Sequence, residues 1–342
     1  MSNSVTIIDL AKELKISPST VSRALRDHPA IKQETKIMVQ ELAKKLGYQP
    51  NTLALSLLYR KTNNIGIIVP EITSYFFSSI ICGIQDVLEP EGQHVIISQS
   101  NESYETELKG IETFLSSRVD GMLISSTFNT NDYSHLEKLR QNNVPVVVFD
   151  RDCEGYEMNK VLVDDYDGAC QAVEHLISQG CKRIAHIAGS DQLSIARHRK
   201  NGYIDTLSKH GIAIDEELMI ESKFFQMEDG VEPTKRLLSL PNLPDGIFAV
   251  NDAIAIGALS VLRERDVKVP DEVALIGFDN DPYAKFSSPT LSTIDQPVYE
   301  MGMLAARILL ASIGKSDHNS NFRQEILKPE LIVRESSNRG KI

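Results

Sequence analysis

Apolar residues in the first fifty positions recur at helical spacing in three short bursts separated by polar breaks. Over residues 6–14, Leu10, Ala11 and Leu14 share one face, which predicts a short first helix. Ser17 is a natural N-cap, and Pro18 suits a first helical position, where its missing N–H costs nothing and its φ is preset. A second helix is therefore predicted over Pro18–Leu25, with Val21, Ala24 and Leu25 inward. A third, over roughly 32–46, would close the core through Ile37, Val39, Leu42 and Ala43. Two short helices about one turn apart read as a helix-turn-helix, with small Ala11 allowing the close crossing and Ile16 filling the turn. The outward face of the second helix then presents Pro18, Ser19, Ser22 and Arg23, side chains suited to a DNA major groove.

Gly47-Tyr48-Gln49-Pro50-Asn51 breaks the third helix, and Asn51 can cap an apolar stretch over 52–58. That stretch is far shorter than the ~12–15 residues an isolated helix needs, so it should fold only against a partner, of which DNA is one.

From Ile65 onward the pattern changes. Short β-branched runs at 65–69, 95–98, 122–125, 146–149, 161–164, 184–188, 246–250 and 274–278 alternate with helix-length segments. This alternation predicts right-handed βαβ units and parallel sheets with helices on both faces. Ligands of such sheets sit beyond the carboxyl ends of the strands. The residues just past those ends are polar: Asp150-Arg151, Arg197 and Arg199, Asn251-Asp252, and Asp279-Asn280-Asp281. Each could instead cap a turn or form a solvated face, but together they supply one rim with groups able to bind a hydroxyl-rich ligand, and Phe76-Phe77 and Phe225 could wall it.

Charge separates the same two regions. The chain of 342 residues carries −11 overall, yet residues 1–61 hold ten Lys/Arg against five Asp/Glu, a balance of +5, which leaves −16 for the rest. A small basic module on a large acidic body fits a DNA reader whose bulk stays off the phosphates. The four cysteines form no Cys-x-x-Cys pair, no apolar run approaches the ~20 residues of a membrane span, and the polar N-terminus is unlike a signal sequence. A cytoplasmic protein with no membrane partner is expected.

Val5-Thr6-x-x-Asp9-x-Ala11, the run from Ser17 to Leu25 and Gly47-Tyr48-x-Pro50-Asn51 together resemble the DNA-binding headpiece of the lactose-repressor (LacI/GalR) family. Residues 65–336 resemble that family's effector domain, itself similar to periplasmic sugar-binding proteins, through Tyr75-Phe76-Phe77, Phe149-Asp150-Arg151, Asn251-Asp252-x-x-Ala255-x-Gly257-Ala258 and Ile276-Gly277-Phe278-Asp279-Asn280. The resemblance implies an all-α helix-turn-helix headpiece (1–50), a hinge helix and linker (51–63), and a two-lobed α/β body. One lobe would comprise 64–162 and 292–322, the other 163–291 and 323–342, joined by crossovers near 161–164, 289–293 and 321–325. It implies DNA contacts from Thr6, Pro18, Ser19, Thr20, Ser22 and Arg23, and from Asn51, Ala54 and Leu57 in the hinge, with Leu57 as a minor-groove wedge. Effector contacts would come from Phe76, Phe77, Asp150, Arg199, Phe225, Asn251 and Asp279, with Arg197 added by its place after a strand. The expected function is a transcriptional regulator of repressor type, a homodimer on a near-palindromic operator. Its effector would be a sugar or sugar derivative, with a sugar phosphate or a base left open.

Two other classes fit the residues less well. An enzyme would need a phosphate loop, nucleophile elbow or metal motif, and no Gly-x-Gly-x-x-Gly, Gly-x-x-x-x-Gly-Lys-Ser/Thr, Gly-x-Ser-x-Gly or His-Glu-x-x-His occurs, so no catalysis, cofactor or metal is expected. A sugar-binding protein that does not touch DNA would leave the basic headpiece unexplained.

Overall fold

Among the described residues the first unit holds three helices, and side chains adjacent in sequence set their ends. In the computed structural model residues 5–48, 61–128, 130, 132–314 and 322–340 are described, and the chain divides into two units between Thr62 and Asn63. Helix α1 (Ile7–Leu14) starts on a capping box, in which the Asp9 amide donates to the Thr6 hydroxyl while the Thr6 amide donates to the Asp9 carboxylate. Lys15, in the left-handed region at φ 53°, stops it. Helix α2 (Pro18–Leu25) begins on Ser17, whose Oγ accepts the Thr20 amide at 3.1 Å. Helix α3 (Gln33–Lys45) packs across both, and Leu10, Ala11, Val21, Ala24, Val39 and Ala43 form the buried core.

Ile37 does not belong to that core. It is 47% exposed, whereas Lys36 is 8% exposed, with its ammonium 2.7 Å from the Asp27 carboxylate and donating to the Asp27 carbonyl at 3.1 Å. The long lysine stem covers apolar surface while its head pins the loop after α2, and one step of about 100° around the helix turns Ile37 to solvent.

The second unit contains two lobes. In the first, β1 (Asn64–Val69), β2 (His94–Gln99), β3 (Gly121–Ile124), β4 (Val146–Phe149), β5 (Asn159–Val163) and β11 (Gln324–Leu327) form a parallel sheet in the order β11-β5-β4-β3-β1-β2. Alternate strand residues serve opposite faces. Ile65, Ile67, Val69, Leu123 and Val147 pack on helices α4 (Tyr75–Leu88) and α11 (Val298–Ser312), while Ile68, Met122, Ile124 and Val148 pack on α5 (Tyr104–Ser116) and α6 (Ser134–Gln141). In the second lobe, β6 (Ile184–Ala188), β7 (Met219–Glu221), β8 (Gly246–Ala249) and β9 (Ala274–Ile276) pair in the parallel order β7-β6-β8-β9. Helices α7 (Asp165–Ser178) and α8 (Ser194–Lys209) cover one face, and α9 (Val231–Leu238) and α10 (Asp252–Glu264) the other.

The eight predicted strands are all present, but four short ones were not predicted: β7, β11, and the antiparallel pair β10 (Thr293–Asp295) and β12 (Glu330–Ile332). Strand β11 corrects the lobe boundaries. The family resemblance assigns 323–342 to the second lobe, yet β11 pairs with β5 from Gln324↔Lys160 to Leu327↔Val163 and extends the first lobe's sheet. Without it β5 would present an open edge. The third crossover therefore lies after Leu327.

Each lobe brings two helical segments into backbone contact through a pair of glycines. A Cβ on Gly83 of α4 would lie 2.2 Å from the Tyr299 carbonyl oxygen, and one on Gly302 of α11 would lie 2.1 Å from that of Ile80. In the second lobe a Cβ on Gly230 would lie 2.2 Å from the Ile254 oxygen, and one on Gly257 of α10 would lie 2.0 Å from the Met227 oxygen.

Candidate functional site

On α2, Pro18, Ser19 and Arg23 are exposed, and Thr20 and Ser22 are half-buried on the same short helix. Ser17 Oγ lies 2.8 Å from both Ser19 Oγ and Thr20 Oγ1, so the cap also orients two of the hydroxyls predicted to face DNA. Thr6 is exposed, and its hydroxyl donates to Asp9 at 2.7 Å within the α1 cap, a bond that holds the Asp9 carboxyl below its usual range. Asn51, Ala54 and Leu57 lie outside the described residues.

In the second unit the carboxyl ends of both parallel sheets meet at a cleft of about 460 Å³. Phe76, Phe77, Asp150, Arg199, Phe225, Asn251 and Asp279 all line it, the first three from one lobe and the rest from the other. Phe77 is also part of the first lobe's core, where its ring meets Phe76 edge-on at 5.1 Å between centroids.

Arg197 is the exception among the predicted effector residues, for it is not part of the cleft lining. Its Nη2 lies 2.5 Å from Glu154 and its Nη1 donates to the Asp191 carbonyl at 2.9 Å. Residues two apart on a helix point about 200° apart, so α8 can aim only one of Arg197 and Arg199 inward. That one is Arg199, which is 2% exposed.

Arg199 is held on three sides. Its Nε and Nη2 both lie against Asp165 Oδ1, at 2.8 and 2.7 Å, Nη1 donates to the Val250 carbonyl at 2.6 Å, and the guanidinium stacks 3.7 Å from the Phe278 ring centroid. Asp165 heads α7, which starts on the Asp164 cap. Burial raises the Asp165 carboxyl, and the charge of Arg199 opposes that rise.

Asp150 and Asp279 follow β4 and β9 with positive φ values of 67° and 116°. Side chains other than glycine rarely take such angles, and neighbouring bonds hold them here. The Asp150 amide donates to Val161 O at 3.0 Å and the Asp279 amide to Ile294 O at 2.8 Å. Ser125 Oγ donates to Asp150 at 3.0 Å, and Gln296 Nε2 to Asp279 at 2.6 Å. Burial pushes Asp150 up to about 6, against the opposing charge of Arg151, and Asp279 up to about 7, against that of Arg199. Both carboxyls can therefore accept or donate near neutral pH.

Asn251 combines two roles. Its Oδ1 accepts the Ile254 amide as the cap of α10, and its Nδ2 donates to the Phe225 carbonyl at 3.2 Å, which leaves one amide hydrogen for the cleft. Of the further lining residues, Arg151 and Asp252 belong to the predicted polar rim, whereas Glu102, Phe128 and Phe224 are absent from the predicted site. Arg151 forks onto Glu102 at 2.8 and 2.9 Å, Phe128 and Phe224 approach from opposite lobes, and Asp252 is buried with Thr293 and the Asp281 amide donating to it. Glu102 and Phe128 stand shortly beyond β2 and β3, so the strand-end rule that found Asp150 could have found them.

A pattern for bacterial regulatory proteins of the lacI family matches residues 6–51, and one for a periplasmic binding protein-like domain matches 173–337. The chain is 34% identical over 339 residues, 98% of its own length and 99% of the other's, to a Bacillus subtilis (strain 168) protein named "Probable HTH-type transcriptional repressor ExuR". The chain belongs to the LacI family. It is a DNA-binding transcriptional regulator of that type, with a helix-turn-helix unit followed by a two-lobed α/β unit. Among solved structures, the LacI-family chain is similar to the transcriptional regulator CelR in complex with cellobiose, at 28% identity and a TM-score of 0.74 over 97% of this chain and 99% of that one. Its fold also matches the lac repressor dimer bound to operator and an anti-inducer, at a TM-score of 0.87 and 24% identity, covering 98% and 99% of the two chains.

Proposed function

We propose that this regulator is a cytoplasmic, homodimeric repressor that binds one near-palindromic operator through α2 of each headpiece, and that a sugar or sugar derivative in the cleft controls that binding. The cleft carries the reading. Asp150 from one lobe and Arg199 and Asp279 from the other converge on one space, so a ligand there touches both lobes and favours one angle between them. A change in that angle in two paired copies would alter the spacing of the segments leading to the headpieces, which couples effector to operator. Arg23, exposed on a unit of net +5, is suited to a bidentate contact with guanine. Asn51, Ala54 and Leu57 are proposed hinge contacts on sequence grounds, with Leu57 unstacking the central base step.

The relatives' names support regulation in place of catalysis, and among the described residues no helix is long and apolar enough to cross a membrane. The similar CelR is in complex with cellobiose, which supports a sugar as the class of ligand.

Operator retardation tests the reading. The expected outcome is a complex of two chains per operator whose affinity falls steeply with salt and changes when a cleft ligand is added. A single chain per operator, or an affinity blind to every ligand that stabilises the protein, would overturn it.

A further inference from the structure

The cleft is rich in both charge and aromatic surface, and the placement of each limits what it can hold. Its lining includes six carboxylates, Glu71, Glu102, Asp150, Asp252, Asp279 and Asp281, against three cations, Arg151, Arg199 and Lys223. The two buried guanidiniums are already matched. Arg199 rests on Asp165, and Arg151 forks onto Glu102 and also donates to the Ser126 carbonyl at 2.8 Å. The Arg151 Nε is buried without a hydrogen-bond partner, but it faces Asp150 at 3.6 Å, so an anion placed there would meet a carboxylate first. Lys223 is exposed at the cleft, where solvent and salt screen it.

The aromatic surface forms a second zone. Phe128 of the first lobe meets Phe224 of the second edge-on at 5.9 Å, and Phe128 and Phe225 pack with Leu193, Ile195 and Ala196. Phe224 remains 51% exposed, a large apolar face with room for a partner. Beside it lie the hydrogen-bonding groups of Asp150, Arg199, Asn251 and Asp279, so the cleft is polar in one part and aromatic in the other.

We infer that the cleft takes an uncharged ligand made of a hydroxylated ring joined to a flat apolar ring, and that it rejects sugar phosphates and sugar acids. Hydroxyls both donate and accept, which suits carboxylates and a guanidinium held within 4 Å of one another. A flat ring would cover Phe224 and Phe128 and bury apolar surface from both lobes. The raised carboxyls point the same way, since a site that already resists the charge on Asp150 and Asp279 resists a ligand's negative charge as well. The inference rests on the cleft being the effector site. It narrows the ligand's class within that reading.

Calorimetry on the full-length, DNA-free protein tests it. The panel pairs phenyl glycosides and nucleosides with their methyl glycoside, phosphate-ester and uronate counterparts. The expected result is a neutral, ring-bearing member that binds at least about tenfold more tightly than its methyl and its anionic counterparts. Phenyl glycosides and nucleosides separate the two sources of a flat ring. Phe128→Ala, checked by thermal melting, should remove the preference for the ring and leave methyl glycoside binding in place. An anion that binds as well as its neutral parent, or a panel with no neutral ring-bearing ligand, would overturn the inference. Operator retardation on the same samples keeps the two readings apart. A neutral binder that leaves operator affinity unchanged would sink the effector reading alone, and an anion that shifts it would sink this inference alone.

Discussion

Arg199 Nη1, which donates to the Val250 carbonyl, stands 3.9 Å from Asp279 Oδ1, too far for a hydrogen bond, while Nε and Nη2 are turned to Asp165. The gap lies in the cleft, so a ligand hydroxyl can accept from the guanidinium and donate to the carboxyl at once.

Arg199→Ala should therefore lose cleft binding, and calorimetry should find affinity reduced by about 100-fold or more, since a guanidinium hydrogen bond is among the stronger kinds. The same change leaves Asp165 buried without its partner, at a cost of about 3–5 kcal/mol in stability. Ligand-free operator binding, measured well below the melting temperature, should survive. Unchanged ligand affinity would remove Arg199 from the site.

Asp279→Asn should change how stability depends on pH. Burial raises this carboxyl to about 7 in the folded chain from an ordinary 3.8, so the folded state binds its proton more tightly than the unfolded one. The stability it contributes is full below 3.8 and is lost as pH rises through 7. Wild type should lose up to about 1.4 kcal/mol for each pH unit in that window. Thermal melts should show Asp279→Asn gaining on wild type between about pH 4 and about pH 7 and levelling off above that. A difference that does not vary with pH would contradict the shift.

Arg197→Ala should behave differently from Arg199→Ala. The Arg197–Glu154 pair joins the two lobes at a partly exposed place outside the cleft lining, and such pairs are worth about 0–1 kcal/mol. Calorimetry should find ligand affinity changed by no more than a few fold, about 1 kcal/mol or less.

Gly302→Ala should destabilise the first lobe by about 1–3 kcal/mol, because its Cβ would lie 2.1 Å from the Ile80 carbonyl oxygen and must push α4 from α11. Denaturant titration measures this. An unchanged midpoint would mean that the helices separate freely.

Arg23→Ala should weaken operator binding by about 1–3 kcal/mol and relax preference at one symmetric base pair per half-site. Equal losses on operator and random DNA would reduce Arg23 to a phosphate contact.

Much of this was legible in the residues because its causes are local. Ser17 and Pro18 start α2 through bonds and angles within four residues, and short unbroken β-branched runs declare strands that are buried on both faces. Phe149-Asp150 and Phe278-Asp279 then place carboxylates just beyond strand ends, where parallel sheets gather ligands. Other features depended on partners far along the chain. The four residues of β11 have no strand signal of their own and are strand only because β5, some 160 residues earlier, offers an open edge. Lys36 displaced Ile37 from the core through Asp27, a partner no periodicity reveals. The choice of Arg199 over Arg197 turned on the exact rotation of α8, and the pairing of Arg151 with Glu102 on two loops meeting at a rim. The sequence by itself determined the elements and the chemistry at their ends, because propensity, capping and period act within a few residues. Only the tertiary structure decided which of those side chains face one another, because a cleft is made by segments whose distance along the chain carries no trace of their distance in space.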